Sequence, residues 1–165
     1  MVKVFCDGSI EVKNVEGYTF NPNLMKGTKN YSVFGRFAAA EVFPKPISFE
    51  VLADDFNGMH VQAQEISSWG ENVYVKIPVT NSKGESSSLL IESLSKQEIK
   101  LNVTAVFTLQ QIRTVARSLY PLTPSIISIF AGRIADTGRD PTPLFTEAIR
   151  VKHDKTQILW ASTRE

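Results

Sequence analysis

The chain has one cysteine, two histidines and almost no net charge, and each scarcity excludes a class of protein. Cys6 has no second cysteine to pair with, which excludes an internal disulfide and favours a reducing compartment. The 18 basic and 17 acidic residues leave a net charge of +1, which gives no electrostatic reason to bind nucleic acid. His60 and His153 have no cysteine or carboxylate at ligand spacing, so we expect no metal site.

Long apolar runs are lacking as well. No stretch is long enough to span a bilayer, and the start "MVKVFCDG" lacks the apolar core of a signal peptide. With 165 residues, 42% hydrophobic and 21% charged, the chain can form one domain with a sizeable core. We therefore predict a single domain over residues 1–165, located in the cytoplasm and without membrane contact.

Seven short runs rich in Val, Ile and Phe are typical of strands, and helix-like segments separate most of them. The runs are 2–6, 17–20, 46–51, 72–77, 101–107, 125–130 and 157–162. The first connection, 7–16, is too short for a full helix. This β–α alternation predicts a parallel sheet, and seven strands favour a (βα)8 TIM barrel that lacks its eighth strand in this chain. We favour a C-terminally incomplete barrel domain as the explanation for the missing strand, and a natural partial barrel is the alternative.

Capping and helix-terminating residues predict where several helices begin and end. Residues 56–68 form a helical pattern that ends near Gly70, a typical position for a glycine after a helix. Thr108 is a candidate N-cap for a helix over 109–119. Asp140 and Pro141 have the pattern of an N-cap and first helical residue.

Polar side chains recur on one face of the strands, toward their C-terminal ends. Alternate residues of a strand face opposite sides. The polar phase comprises Asp7, Ser48, Glu50, Asn72, Tyr74, Lys76, Asn102, Thr104, Ser128, Phe130, Trp160 and Ser162. The opposite phase is mostly apolar, including Val73, Val75 and Leu159. The polar phase should line the barrel interior near the C-terminal mouth, where catalytic groups of such barrels lie.

Lys76, in "NVYVKIPVTN", is the last inward residue of its strand before Pro78. A lysine is almost never fully buried unless it is paired or functional. Alternation alone leaves two interpretations open, a structural ion pair with Glu50 and a catalytic cluster. Desolvation disfavours the ammonium form of a lysine, and a free amine attacks carbonyls to form a Schiff base. Carbon–carbon cleavage then needs a nearby carboxylate and a relay for protons.

Seven motifs in order resemble those of the transaldolase family, in the short subgroup that includes the fructose 6-phosphate aldolases. "VFCDGS" resembles the aspartate segment of strand one, "GYTFNPNL" resembles "GVTTNPSL", and "PISFEV" resembles "VSVEV". "NVYVKIPVT" is close to identical to the strand that carries the Schiff-base lysine. "NVTAVFTLQQ" is similar to "NVTLIFSLEQ", "SIFAGRIADTG" to "SPFVGRIDDWG", and "ILWASTR" to "VLAASFR".

The resemblance implies a role for each matching residue. Lys76 would form the imine with a ketose phosphate, Asp7 would be the acid and base of cleavage, and Glu50 and Thr104 would hold the water. Binding of the dihydroxyacetone part would fall to Asn21, Asn102 and Ser128. Binding of the phosphate would fall to Arg133, Ser162 and Arg164, since arginine offers forked donors.

The resemblance also implies sugar phosphates as substrates, no cofactor, a place in carbohydrate metabolism in the pentose phosphate pathway, and a possible homo-oligomer. Glu50 and Phe130 resemble true transaldolases, whereas the aldolases tend to have Gln and Tyr there. Phe20, Asn23 and Thr163 depart from the family motifs. Three functions stay open: transfer of a dihydroxyacetone unit, aldolase cleavage, and a catalytically weak partial barrel that binds sugar phosphates.

Overall fold

A single sheet of seven parallel strands organises the molecule. The computed structural model describes residues 3–20 and 30–163. The strands are β1 Phe5–Asp7, β2 Gly17–Thr19, β3 Ile47–Glu50, β4 Val73–Pro78, β5 Leu101–Val106, β6 Ser125–Ile129 and β7 Thr156–Trp160. Each strand pairs with the next along the chain, so the spatial order is the sequence order.

Helices connect the strands on the outside of the sheet. They are α1 Tyr31–Val42, α2 Phe56–Ser67, α3 Ser88–Lys96, α4 Leu109–Ser118, α5 Ala131–Ala135 and α6 Thr142–Val151. Residues 8–16, between β1 and β2, form no helix, as the short connection predicted. Within residues 3–20 and 30–163, no helix has the length and apolar character needed to cross a bilayer.

The helix starts follow local capping chemistry. Thr108 accepts a hydrogen bond from the backbone N–H of Gln111 at 3.1 Å, and the Gln111 side chain accepts from Thr108 N, which completes a capping box. The prediction for Asp140 was wrong by one residue. Its carboxylate accepts from Thr142 N at 2.9 Å, but α6 begins at Thr142, with Pro141 as the N-cap. Pro143 then occupies the first turn, where a missing N–H costs nothing.

The sheet is strongly curled, which confirms the TIM-barrel-like fold class. Ser48 on β3 and Asn102 on β5 are joined by a 3.1 Å hydrogen bond although β4 lies between their strands. In a flat sheet, strands two apart are separated by about 9.5 Å. Side chains from β1 and β7, at opposite ends of the strand order, also line the same cavity. The C-terminal ends of the strands therefore converge on one mouth.

The core lies between the convex face of the sheet and the helices. Fully buried strand residues include Val75, Ile77, Leu101, Val103 and Ile127. The helices cover them with Met59 and Ala63 of α2, Ile91 and Leu94 of α3, and Ile112 and Val115 of α4. The apolar phase thus packs outward, as predicted, and the polar phase is left for the concave side.

Strand β5 contains a bulge that the alternation did not predict. Val103 is opposite Ile127 and Val106 is opposite Ile129, so β5 has one extra residue over this stretch. Ala105 takes up the excess in the left-handed conformation, with φ 57°. Because of the extra residue, Val106 joins the outward phase of Val103 and is fully buried.

The facing of β7 differs from the prediction. Leu159 is opposite Ser128, an inward residue of β6, so Leu159 faces inward as well. Trp160 stacks instead on Phe145 of α6, with ring centroids 4.6 Å apart. The inward assignment of Trp160 was therefore wrong: the indole packs on the outer helix α6, although its rim still borders the cavity.

Candidate active site

A cavity of about 350 Å³ opens at the mouth formed by the C-terminal ends of the strands. Seven of the residues predicted for the site line it: Asp7, Lys76, Asn102, Thr104, Ser128, Arg133 and Ser162. They come from β1, β4, β5, β6, α5 and the segment after β7. Residues far apart in sequence are thus brought into one concave, largely polar space.

Lys76 lies at the floor of this cavity and is only 8% exposed. Its Nζ is 3.4 Å from Glu50 Oε2 and donates a 3.4 Å hydrogen bond to the carbonyl oxygen of Phe20. Both neighbours are acceptors, so the buried charge is partly compensated. The pairing with Glu50 follows from the register, in which Glu50 and Lys76 are direct neighbours across β3 and β4.

Glu50 lies beside the cavity, in contact with the lysine. Its side chain is 25% exposed against 10% for that of Lys76, so it keeps some contact with water. The Tyr31 hydroxyl donates a 2.9 Å hydrogen bond to the backbone carbonyl of Glu50. Burial raises the pKa of Tyr31 well above its usual value, so Tyr31 acts here as a neutral donor.

Asp7 is held by a hydroxyl of the neighbouring strand. Thr19 Oγ1 donates a 2.6 Å hydrogen bond to Asp7 Oδ1, and the two residues are paired in the β1–β2 register. Asp7 itself is exposed at the cavity, whereas Thr19 is buried. One carboxylate oxygen is thereby fixed by the protein.

Three polar side chains form a buried chain at the floor. Ser128 Oγ donates to Asn102 Oδ1 at 2.7 Å, and Asn102 Nδ2 donates to Ser48 Oγ at 3.1 Å. All three residues are at most 2% exposed. Asn102 and Ser128 line the cavity, and Ser48 supports them from below.

The bulge in β5 shapes the wall of the cavity beside Lys76. Thr104 immediately precedes the left-handed Ala105, is buried, and lines the cavity. Bulges commonly redirect a side chain next to a functional site. Thr104 is also the register partner of Pro78, two residues beyond Lys76 on β4.

A cation stands at the rim. Arg133, in the short helix α5, is exposed, and its guanidinium lies 5.0 Å from the centroid of the Phe130 ring. Phe130 in turn makes an edge contact with Phe107, with centroids 5.4 Å apart. After the neighbouring strand β7, Ser162 has a left-handed backbone with φ 55°, and this residue lines the cavity although β7 ends at Trp160.

Comparison with known proteins shows the family of this chain. The family model described as Transaldolase/Fructose-6-phosphate aldolase matches residues 8–165. The chain belongs to this family. A protein named "Probable transaldolase" from Methanococcus maripaludis is 36% identical over 155 residues, which are 91% of this chain and 67% of that protein. One of the same name from Nitrosopumilus maritimus is 32% identical over 154 residues, 91% of this chain and 66% of that protein.

The chain spans about two thirds of the length of these curated relatives. Among solved structures, the orotidine 5′-phosphate decarboxylase from Pyrococcus horikoshii aligns with a TM-score of 0.46 and 12% sequence identity. That alignment covers 88% of this chain and 77% of the decarboxylase. The family to which this chain belongs is one of enzymes, of the transferase and aldolase type.

Two residues that the transaldolase resemblance assigns to the site, Asn21 and Arg164, lie outside the described residues. In the described part of the chain, no three side chains of His, Cys, Asp or Glu are arranged to hold a metal ion. The residues that line the cavity offer an amine, a carboxylate, hydroxyls and a guanidinium as chemical groups.

Three residues that hold members of the predicted site were not among the site residues that the sequence predicted. Thr19, Ser48 and Tyr31 hold Asp7, Asn102 and the Glu50 backbone. Ser48 was visible as an inward polar residue, and Thr19 lies in the "GYTFNPNL" motif, so pattern could have raised both. Nothing in the sequence links Tyr31 to Glu50, because that contact depends on how α1 packs on β3.

Proposed function

We propose that this chain transfers a dihydroxyacetone unit from a ketose phosphate to an aldose phosphate through an imine on Lys76. The observation that carries the proposal is the buried Nζ of Lys76, 3.4 Å from Glu50 Oε2 at the floor of the mouth cavity. A lysine in a partly desolvated site beside a carboxylate is the arrangement that Schiff-base chemistry uses. Family membership supports the same chemistry.

Imine formation begins with loss of a proton from the Lys76 ammonium, and Glu50 is within reach to accept it. The free amine attacks the ketose carbonyl carbon, and the resulting carbinolamine loses water to give the imine. Thr104, a buried hydroxyl on the cavity wall, and the partly exposed Glu50 can hold that water for removal and for later hydrolysis. The imine at C2 then acts as the electron sink for cleavage of the C3–C4 bond.

Cleavage needs a base at the hydroxyl of C4, the carbon of that bond that leaves with the aldose phosphate. Asp7 lines the cavity and has Oδ1 bound to Thr19, which leaves Oδ2 for the substrate. As Asp7 takes the hydroxyl proton, the carbon–carbon bond breaks, an aldose phosphate leaves, and the electron pair passes into the imine to form an enamine. Attack of the enamine on an acceptor aldehyde, with return of the proton, completes the transfer.

Binding of the substrate is assigned to the rest of the cavity. We assign the three-carbon unit on Lys76 to Asn102 and Ser128 and the distant phosphate to Arg133, and the assignment is supported by the place of all three residues in the cavity lining. Ser162 adds a hydroxyl at the same rim. The roles of Asn21 and Arg164 remain part of this proposal on the family motif alone.

The test is reductive trapping. Borohydride added to the protein with fructose 6-phosphate should leave a three-carbon adduct on the peptide that contains Lys76, detected by mass spectrometry. Lys76→Met removes the amine at similar length and should give no adduct. Lys100→Met is the matched control. Lys100 immediately precedes β5, at the N-terminal ends of the strands and away from the mouth, where its Nζ donates to the Glu71 carbonyl. Absence of any adduct on Lys76 in the wild-type chain would overturn the proposal.

The acceptor decides between transferase and aldolase. The family description includes both activities, and Glu50 and Phe130 resemble the transaldolase pattern. We therefore expect turnover of fructose 6-phosphate to require an aldose phosphate acceptor. Equal turnover without acceptor, with release of free dihydroxyacetone, would assign the aldolase reaction, and saturable binding without turnover would indicate a weak sugar-phosphate-binding barrel. A role in the pentose phosphate pathway of the cytoplasm and assembly into a homo-oligomer belong to the same proposal.

A further inference from the structure

The amide of Asn102 is the centre of the polar floor, and its orientation depends on its neighbours. The last torsion of an asparagine side chain is broad and nearly two-fold, so the chain itself does not fix which end faces where. Asn102 has no exposed surface, which leaves protein hydrogen bonds to set that orientation. Two such bonds are present, one to Ser128 and one to Ser48.

Ser48 is as deeply buried as Asn102 but, unlike Asn102 and Ser128, it does not line the cavity. It lies on β3, two residues before Glu50, and its hydroxyl accepts from Asn102 Nδ2 at 3.1 Å. This contact passes beneath Lys76, whose strand lies between β3 and β5. Ser48 thus ties together the strands on both sides of the lysine.

We propose that Ser48 is a positioning residue: its hydroxyl fixes the amide of Asn102, and through it the hydroxyl of Ser128, for binding of the three-carbon unit on Lys76. Since Ser128 donates its proton to Asn102 Oδ1, the free lone pairs of Ser128 Oγ are left to accept from a substrate hydroxyl. The substrate part of this inference rests on the proposed function. The inference that Ser48 fixes the amide of Asn102 does not depend on the proposed function.

Removal of the Ser48 hydroxyl should release Asn102 rather than unfold the chain. A buried donor that loses its partner is costly, and the amide can lower that cost by rotating toward the cavity and its water. Rotation would break the Ser128 bond as well. Loss of one hydroxyl would therefore disturb two groups that contact substrate, although Ser48 itself does not touch it.

The first experiment needs no substrate. In the unliganded protein, NMR measures exchange of the Asn102 side-chain amide protons with solvent, and Ser48→Ala should accelerate that exchange at least about tenfold. Ser48→Cys, which keeps the volume but offers only a weak acceptor, should also accelerate the exchange of the Asn102 amide protons. Ser125→Ala is the matched control: Ser125 is also a buried strand serine, but its hydroxyl bonds Thr156, at the far end of β6. Unchanged Asn102 exchange in both Ser48 variants would overturn the inference.

The second experiment measures catalysis with fructose 6-phosphate and an aldose phosphate acceptor. Ser48→Ala should lower kcat/KM about tenfold, and the same change made in an Asn102→Ala background should have almost no effect, because the two residues act through one contact. Additive losses would show a general structural role and overturn the positioning role. A chain whose Lys76 is never trapped contradicts the proposed function instead, and the NMR result then still decides whether Ser48 holds the amide.

Discussion

At the rim of the cavity, a single cation is held in place by two aromatic rings. The guanidinium of Arg133 lies over the Phe130 ring, 5.0 Å from its centroid, and Phe107 supports that ring from the side. A planar guanidinium stacks on an aromatic face and still presents forked donors to an anion. The aromatic pair therefore restrains an otherwise exposed side chain, which would reduce the entropy lost if Arg133 binds a phosphate as the proposed function assigns.

We expect Arg133→Lys to raise the KM for fructose 6-phosphate about tenfold while changing kcat much less, since a lysine keeps the charge but loses the fork and the stacking. The KM for unphosphorylated dihydroxyacetone as donor should stay unchanged. Steady-state kinetics with both donors provide the measurement. Arg139→Lys is the control, because Arg139 is an exposed loop residue outside the cavity lining. A similar rise with the unphosphorylated donor would contradict a phosphate-binding role for Arg133.

At the residue scale, the sequence predicted the groups that carry chemistry better than the groups that hold them. Lys76 and Asn102 stand out because a charge and an amide are unusual inside strands, and both line the cavity. Ser48 and Thr19 are small hydroxyl residues that fit any strand, and their contacts depend on curvature and register that a period-two pattern does not contain. The sequence pattern can therefore raise such residues as candidates, but which side chain each one holds is recognised only in the structure.

At the scale of single elements, strand β5 combines a regular sequence with an irregular backbone. Apolar and polar residues alternate from Leu101 to Ala105 and no glycine marks a bulge, so the sequence predicts a plain strand. The structure places a bulge after Val103 because β5 has to accommodate an extra residue against β6, with Ala105 at φ 57°. An alanine in the left-handed region costs about 1–2 kcal/mol. This strain lies next to Thr104 on the wall of the cavity.

Replacing Ala105 with glycine should raise the free energy of unfolding by about 0.5–1 kcal/mol. Relief of the left-handed penalty outweighs the added chain entropy of glycine in the unfolded state, roughly 0.5–1 kcal/mol. Urea unfolding measures the difference. Ala40→Gly, on the exposed face of α1, tests the reverse case, because a helical alanine has no such strain and its loss should cost about 1 kcal/mol. If both variants lose stability equally, the backbone at Ala105 carries no strain.

At the scale of the whole molecule, the alternation of strands and helices predicted the architecture because each unit is local in sequence. The same reasoning could not place α4 against α6, since they are separated by β6 and α5. A polar cluster centred on Glu147 of α6 joins the two helices. Glu147 Oε1 accepts from Arg113 of α4 and from Arg150 of α6, each at 2.7 Å. The carboxylate thus connects α4, which packs on β5, with α6, which packs on β7.

This cluster should make the stability of the fold sensitive to acid. Hydrogen bonds from Arg150 and Arg113 lower the pKa of Glu147 from 4.5 to about 2. Because the pKa is lower in the folded state than in the unfolded state, the stabilisation is complete above the unfolded value. It is lost as the pH falls from about 5 toward 2, where the folded carboxylate takes up its proton.

Glu147→Gln should therefore be less stable than the wild-type chain near neutral pH, and the difference should shrink steadily below about pH 5 and vanish near pH 2. Urea unfolding at a series of pH values gives the free energy of each chain. Glu65→Gln is the control, because the exposed Glu65 carboxylate makes no ion pair within residues 3–20 and 30–163, and its variant should follow the wild-type profile. A difference between wild type and Glu147→Gln that stays constant from pH 7 to pH 2 would mean that the glutamate stabilises the helix pair by shape rather than by charge.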